Sequence, residues 1–298
     1  MTRMSATPTQ HYAPFQTVVF ATDLSVFSQN AGLYASFLAQ RLDAPLLVSH
    51  AFFLSQPALE VEVVSSLKSL QRQDLEAFLA RRAERLGGGG IQSVPVLVEG
   101  EPAEAIGGIA EKHSAPIVVL GTHGGSILTR GIIGSTAESI LRTMRCPCLT
   151  VGPRVPALTA KSAPFKRILY ATELHPAVAG AAGIAVALAE EFRARIDVLH
   201  VVWPRKIRHP GCFDQIETEF YSALDKVVPS QARELCTPRS FVEVGNAHVQ
   251  ILRHVEEYGV DLLVLGIRKS AHVWTGSRKS GAFHIVAHAT CPVITVAG

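Results

Sequence analysis

Between Gly121 and Thr136 the chain reads GTHGGSILTRGIIGST, with Gly121, Gly124 and Gly134 set around a short apolar loop. The segment follows a buried-strand pattern and opens a helical one, the order expected of a phosphate cradle. Glycines permit positive φ and leave amide N–H groups unscreened by a Cβ, while a helix N-terminus offers unpaired donors and partial positive charge to an anion. A second copy, GIRKSAHVWTGSRKSG from Gly266 to Gly281, begins 145 residues later. It keeps Gly266 but carries Lys269 and Lys279 where the first has Gly124 and Gly134. One chain therefore holds an intact and an altered version of one site.

The repeat extends to the flanking strands. VVFATDLS (18–25) aligns with ILYATELH (168–175), LLVSHAF (46–52) with DVLHVVW (197–203), and RCPCLTVG (145–152) with TCPVITVA (290–297). Gly121 to Cys146 and Gly266 to Cys291 are each 25 positions, so the loop keeps its length. The 298 residues divide into two halves, each large enough for its own core. The expected boundaries are a disordered leader at 1–14, a first domain at 15–152, a linker at 153–165 and a second domain at 166–298.

Each half alternates strand and helix. In the first, VVFAT leads to a helix near 28–42, then LLVSHAF, then a long helix near 60–86 with Val61, Val64, Leu67, Leu75, Phe78 and Leu79 mostly on one face. Gly87 to Gly90 stop that helix. VPVLVEG, a helix beginning near Pro102, the apolar strand IVVLG, the glycine loop, a helix near 135–144 and CLTV complete the half. The second half repeats the order, with Asn246 as N-cap of its third helix. Continuous apolar strands separated by helices give an α/β fold: two tandem doubly wound domains, each a five-stranded parallel sheet with about four helices. Ligands of such sheets sit beyond the strand C-termini where strand order reverses, which gathers Asp23, His50, Ala51 and residues 121–135.

Composition excludes several classes. A net charge of +3 with 18% charged residues and no basic tract argues against a nucleic-acid partner. No apolar run reaches the ~18 residues of a membrane span and the N-terminus lacks a signal-peptide core, so a cytoplasmic protein is expected. Five cysteines form no disulfide pattern; Cys146, Cys148 and Cys291 read as small buried hydrophobes. Zinc would need His50 or His200 from the second-strand ends and is not favoured.

Gly121, Gly124, Gly134 and Ser135 match G-x2-G-x9-G-[ST], the nucleotide signature of ATP-binding universal stress proteins. ATDLS, SHAF and CPCLTV are similar to the same family, and because the second half resembles it too, the chain resembles a tandem universal stress protein. The resemblance implies a Rossmann-like fold related to adenine-nucleotide hydrolases, with ATP as ligand, and Mg²⁺ with it where Asp23 takes part. It gives Asp23 a contact on the ribose or phosphate side, and Ala51 a main-chain contact to adenine. Ala21, which replaces a proline common in the family, and Leu120 become pocket walls. Amides near Gly121 to Gly124 and at Gly134 to Thr136 would hold phosphates, with Ser135 and Thr136 hydroxyls adding donors and His123 a supporting contact. Taken singly, Gly121 could serve only strand exit, Ser135 only its helix cap and Asp23 only the cap of helix one.

In the second half Glu173 replaces Asp23, Gly281 replaces Thr136, and Lys269 and Lys279 occupy bare-backbone positions, so one nucleotide per chain is expected, in the first half. Arg268, Lys269, Arg278 and Lys279 could instead attract an anion or form a solvated basic loop, and Lys279 could pair with Glu173. A Walker A motif, a G-x-G-x-x-G fingerprint and a G-x-S-x-G elbow are all absent from the sequence, and Asp23 is the one carboxylate placed near phosphates. The sequence favours binding over turnover: an ATP-binding regulatory protein of the stress response with a protein partner yet to be identified. A slow ATP hydrolase and a ligand-free scaffold are the rivals. CLTV and VITV are candidates for pairing the halves edge to edge within the chain, as family dimers do, and a homodimer stays open.

Overall fold

Strand β1 (Thr17–Ala21) is apolar along its length because both sheet faces are covered; Val18, Val19 and Phe20 have no exposure. This computed structural model describes residues 14–53, 61–88, 90–123, 132–159, 165–175, 179–207, 211–227, 238–267 and 281–298. The first repeat comprises β1, α1 (Gln29–Arg41), β2 (Leu46–Phe52), α2 (Val61–Leu86), β3 (Ser93–Glu99), α3 (Pro102–Ala110), β4 (Pro116–Gly121), α4 (Ser135–Thr143) and β5 (Cys148–Val151). The second comprises β6 (Arg167–Thr172), α5 (Ala179–Phe192), β7 (Arg195–Val202), α6 (Gly211–Val227), β8 (Arg239–Val244), α7 (Ala247–Tyr258), β9 (Leu262–Ile267), α8 (Gly281–His288) and β10 (Val293–Ala297). The leader falls almost wholly outside the described residues.

The strands form one ten-stranded sheet in the order β3-β2-β1-β4-β5-β10-β9-β6-β7-β8. Each five-stranded half is parallel, and the halves meet where β5 and β10 pair antiparallel, Thr150 opposite Val293 and Leu149 opposite Ile294. The join obeys a local twofold: Thr150 Oγ1 donates to the Val293 carbonyl and Thr295 Oγ1 to that of Cys148. The expected pairing of CLTV with VITV is present, and it covers two inner edges that would otherwise expose unpaired backbone. One apolar layer lies under α1, α2, α5 and α6, with Phe20, Leu38, Leu188 and Phe220. The other lies under α3, α4, α7 and α8, with Val19, Ile106, Leu263 and Ile285. The described ends of the segment between repeats are docked: Phe165, buried like the core around it, packs on Tyr34, Phe37 and Phe192, and the Tyr34 hydroxyl donates to the Pro156 carbonyl.

Helix α2 keeps Leu75 and Leu79 of its expected face, half-buried and buried, but not Phe78. Leu79, Arg82 and Ala83 form its buried i, i+3, i+4 stripe, whereas Phe78, one residue and 100° from Leu79, is 39% exposed and lies against Arg81. Val61, Val64 and Leu67 lie outside the described side chains. Cys148 and Cys291 are buried as expected, burial pushing the Cys291 thiol well above its ordinary range; Cys146 is half-buried. Among the described residues no helix is long and apolar enough to cross a membrane, and no group of His, Cys, Asp and Glu could hold a metal ion.

One part of the second repeat departs from the first in kind. The register matches Leu47, and not Leu46 as in the alignment of LLVSHAF with DVLHVVW, to Asp197: Leu47 lies opposite Val94 in the first repeat and Asp197 opposite Arg239 in the second. Asp197 has no exposure and receives both Nε (2.9 Å) and Nη2 (2.7 Å) of Arg239. Fully buried His254, on α7 where α3 has Ile109, sets Nε2 3.6 Å from Asp197 and Nδ1 3.8 Å from Glu243. Burial opposes charge on Asp197, but His254 and Arg239 outweigh it and hold the carboxyl below its usual range.

Candidate functional site

The first-repeat strand order, β3-β2-β1-β4-β5, reverses between β1 and β4, and the crevice opens over their C-terminal ends. Ala21 pairs in register with Leu120, so the two expected wall residues are neighbours, Leu120 buried and Ala21 half-buried. The loop after β1 lies against Gly121: a Cβ built there would sit 3.8 Å from the Phe27 carbonyl and the Ser28 Cα. Ala51 ends β2 beside Val98 of β3, half-buried.

Asp23 is exposed and held in an Asx turn, its Oδ1 accepting from Ser25 N (3.0 Å) and Ser25 Oγ (2.7 Å). It does not cap helix one; Ser28 occupies that position, after a 3-10 turn at Val26–Ser28. Leu24 supplies the reversal with φ 63° and its N–H donates to Thr22 Oγ1 at 3.0 Å. Leu174 repeats both features, φ 58° and a 3.0 Å bond to Thr172 Oγ1. His50 donates from Nδ1 to the Thr22 carbonyl (2.7 Å) and His200 to that of Thr172 (2.9 Å). Each histidine thus ties the ends of two strands.

Of the two uses expected of the glycines, positive φ and a bare backbone, the first is not made at Gly121 or Gly134; Gly134 is extended at φ −60°, ψ 147°. Its own N–H donates to the Thr122 carbonyl at 2.8 Å, which removes it from the expected phosphate donors. Gly134 is the N-cap of α4, so Ser135 is the first helical residue and not the cap. Ser135 and Thr136 are exposed, and as first-turn residues their amides have no intrahelical acceptor. His123 is half-buried, with Nδ1 2.9 Å from Thr122 Oγ1. Gly124 lies outside the described residues, as do Arg268, Lys269, Arg278 and Lys279.

Sequence reading missed Arg82. It is 5% exposed on α2, beneath the β1–α1 loop, and donates from Nη2 to Ser28 Oγ (3.1 Å) while its guanidinium covers the Phe20 ring. Burial and Arg85 lower its pKa; the Asp23 charge opposes them. An Arg81-Arg82 pair carries no signal that one member turns inward; only the Leu79–Ala83 stripe marks it. Arg82→Met is expected to lower stability by about 1–2 kcal/mol through the lost charge-assisted bond to Ser28 Oγ, which keeps its bonds to the Ser25 carbonyl and Thr22 Oγ1. Urea denaturation measures this, and an unchanged midpoint would show that the loop needs no support from α2.

In the second repeat Asn246 caps α7 as expected, accepting from His248 N at 3.2 Å. His284 stacks on His288 and meets His248 at a tilt of 55°, with ring centroids 4.1 and 4.6 Å apart, and the first repeat has Ala103, Ser139 and Thr143 at the positions of His248, His284 and His288. Burial, then His288 and His248, lowers the His284 pKa. An imidazole whose folded pKa is depressed contributes stability above about pH 6.5 and loses it as pH falls toward the folded value. The melting temperature should therefore fall less steeply from pH 7 to 5.5 in His284→Ser than in the parent, and equal slopes would rule the stack out as the cause.

The fold and crevice define a doubly wound α/β protein in two tandem units. The Universal stress protein family model matches residues 14–152 and 164–297, and the chain belongs to that family. A universal stress protein of Methanocaldococcus jannaschii is 31% identical over 142 residues, covering 46% of this chain and 82% of that protein. One from Thermus aquaticus is 32% identical over 142 residues, 46% of this chain and 98% of its own. The crystal structure of a universal stress protein from Archaeoglobus fulgidus covers 95% of this chain and 97% of that one, with TM-score 0.67 and 17% identity, which shows a shared fold across both repeats. A universal stress protein solved in complex with cAMP covers 46% of this chain, with 26% identity and TM-score 0.37.

Proposed function

We propose that this is a cytoplasmic regulatory protein that binds one ATP per chain, in the first repeat, and that occupancy sets its conformation or choice of partner. The observation that carries the reading is the start of α4. A residue without a side chain caps it, the exposed first-turn amides of Ser135 and Thr136 have no intrahelical acceptor, and the loop is closed behind them by the bond from Gly134 to Thr122. A cradle of bare amides suits phosphate. Ser135 and Thr136 would hold the phosphates, Asp23 the ribose side or Mg²⁺, and Ala51, Ala21 and Leu120 the adenine. ATP supplies phosphoanhydride bonds; the described residues around the cradle include no carboxylate placed as a base beyond Asp23, whose Oδ1 is turned onto Ser25.

Extraction of nucleotide from the purified chain, followed by calorimetric titration with ATP, tests this. One equivalent of nucleotide with negligible ADP or AMP release is expected. Steady release of either product would make it an enzyme, and failure of ATP to bind would leave the scaffold reading.

A further inference from the structure

The second repeat encloses a cavity of about 330 Å³ at the end of β6, β7 and β9, between the starts of α7 and α8. It occupies the same place in its sheet as the first-repeat crevice, but its walls have changed character. Where the first repeat has Ser49, Thr122 and Thr136, the second has Leu199, Ile267 and Gly281, all lining the cavity. The floor is completed by buried Ile251, Leu265 and Ile285. Its rim keeps an aromatic ring, Trp203 standing where Phe53 does in the first repeat, and gains a second in His248, which replaces Ala103.

The described lining includes one carboxylate, Glu173, at the exposed rim, whose charge disfavours an anion there; the other polar groups are largely engaged within the fold. Thr172 Oγ1 receives Leu174 N, the Thr172 carbonyl receives His200, and Asn246 Oδ1 receives His248 N. Trp203, 47% exposed, presents an indole to the cavity without being buried by the core. His248 also lines it, at the start of α7, and is backed by His284. A volume at the lower end of small-molecule sites, apolar walls and a ring at the mouth select a flat molecule of two or three rings with no phosphate tail.

We propose that the second repeat binds an uncharged, planar heteroaromatic molecule of nucleobase or nucleoside size, packed against Trp203 and Ile251, and that it has lost selection for phosphate. This is independent of ATP in the first repeat, because the two crevices lie in different halves of the sheet and are read by different probes.

The full chain carries two tryptophans, Trp203 and Trp274, so a Trp274→Phe variant makes emission report on Trp203 alone. Adenosine and indole are the uncharged probes and ATP the charged one. Saturable change of Trp203 emission by at least one uncharged probe is expected, at a concentration at least tenfold below any effect of ATP. Ala282→Leu, which extends a side chain from the lining into the cavity, should weaken that binding at least tenfold. Trp203→Ala, at an exposed position that folding tolerates, should weaken it about tenfold by calorimetry. No response to either uncharged probe, or ATP acting at equal or lower concentration, would overturn the proposal. Occupancy of the first repeat is measured separately, by nucleotide extraction, so ATP binding there and ring binding in the second repeat can fail independently.

Discussion

Asp197→Ala is expected to lower the stability of this chain by about 3 kcal/mol, the low end of the range for breaking a buried ion pair, because Arg239 is 43% exposed. The loss comes from what is left behind. Arg239 loses a two-pronged acceptor, and His254 keeps one carboxylate, Glu243, at 3.8 Å. Restoring the first repeat's residues together, as Asp197→Leu, Arg239→Val, Glu243→Val and His254→Ile, should return stability to within about 1 kcal/mol of the parent or above it, since well-packed apolar groups avoid the desolvation of the charges. The pH dependence separates the two explanations. The Asp197 pKa is depressed in the fold, so its contribution is complete above its ordinary value near 4 and disappears as pH falls through the lower folded value. Urea midpoints at pH 7 and pH 3 should therefore differ less in the fourfold variant than in the parent. A single variant as stable as the parent at pH 7 would show that the network contributes nothing.

Gly134→Asp should weaken ATP binding about 100-fold without destabilising the protein. A carboxylate at the N-cap of α4 lies about 5 Å from a phosphate held by the first-turn amides, and at an effective dielectric near 20 that repulsion is about 3 kcal/mol. The same carboxylate is a good cap, and the backbone at φ −60° accepts any L-residue. Among the described residues a Cβ at 134 would meet the Thr122 carbonyl alone, at 3.5 Å, an ordinary contact. Melting temperature should hold or rise while calorimetric affinity falls, and Gly134→Ala should lose far less affinity than Gly134→Asp. Equal affinity in Gly134→Asp and the parent would remove the phosphates from α4 altogether.

The glycine at 134 shows where sequence reading reached its limit. Its identity announces that a side chain is unwelcome or a left-handed turn is needed, and these are different demands. The backbone at φ −60° rules out the left-handed turn, and the bond from its N–H to Thr122 shows that its amide is a closure of the loop. Ser135 likewise reads as cap or ligand donor until the helix start is fixed one residue earlier. Arg82 was invisible because one turn of a charged helix looks the same whether its guanidinium meets water or a loop 54 positions earlier in the chain. Asp197 stood inside an apolar strand with no sign of its partner, 42 positions later.

The repeat, the alternation of strands and helices, the parallel halves and the edges that join them were determined by the sequence itself. Those features rest on periodicity and length within a few tens of residues, where local sterics and burial act on neighbours in the chain. Only the tertiary structure decided which amide of the glycine loop closes it, which arginine turns inward, and that Leu199, Ile267 and His248 line the second crevice. Each depends on atoms brought together by the path of the chain through a ten-stranded sheet, and no local pattern records that path.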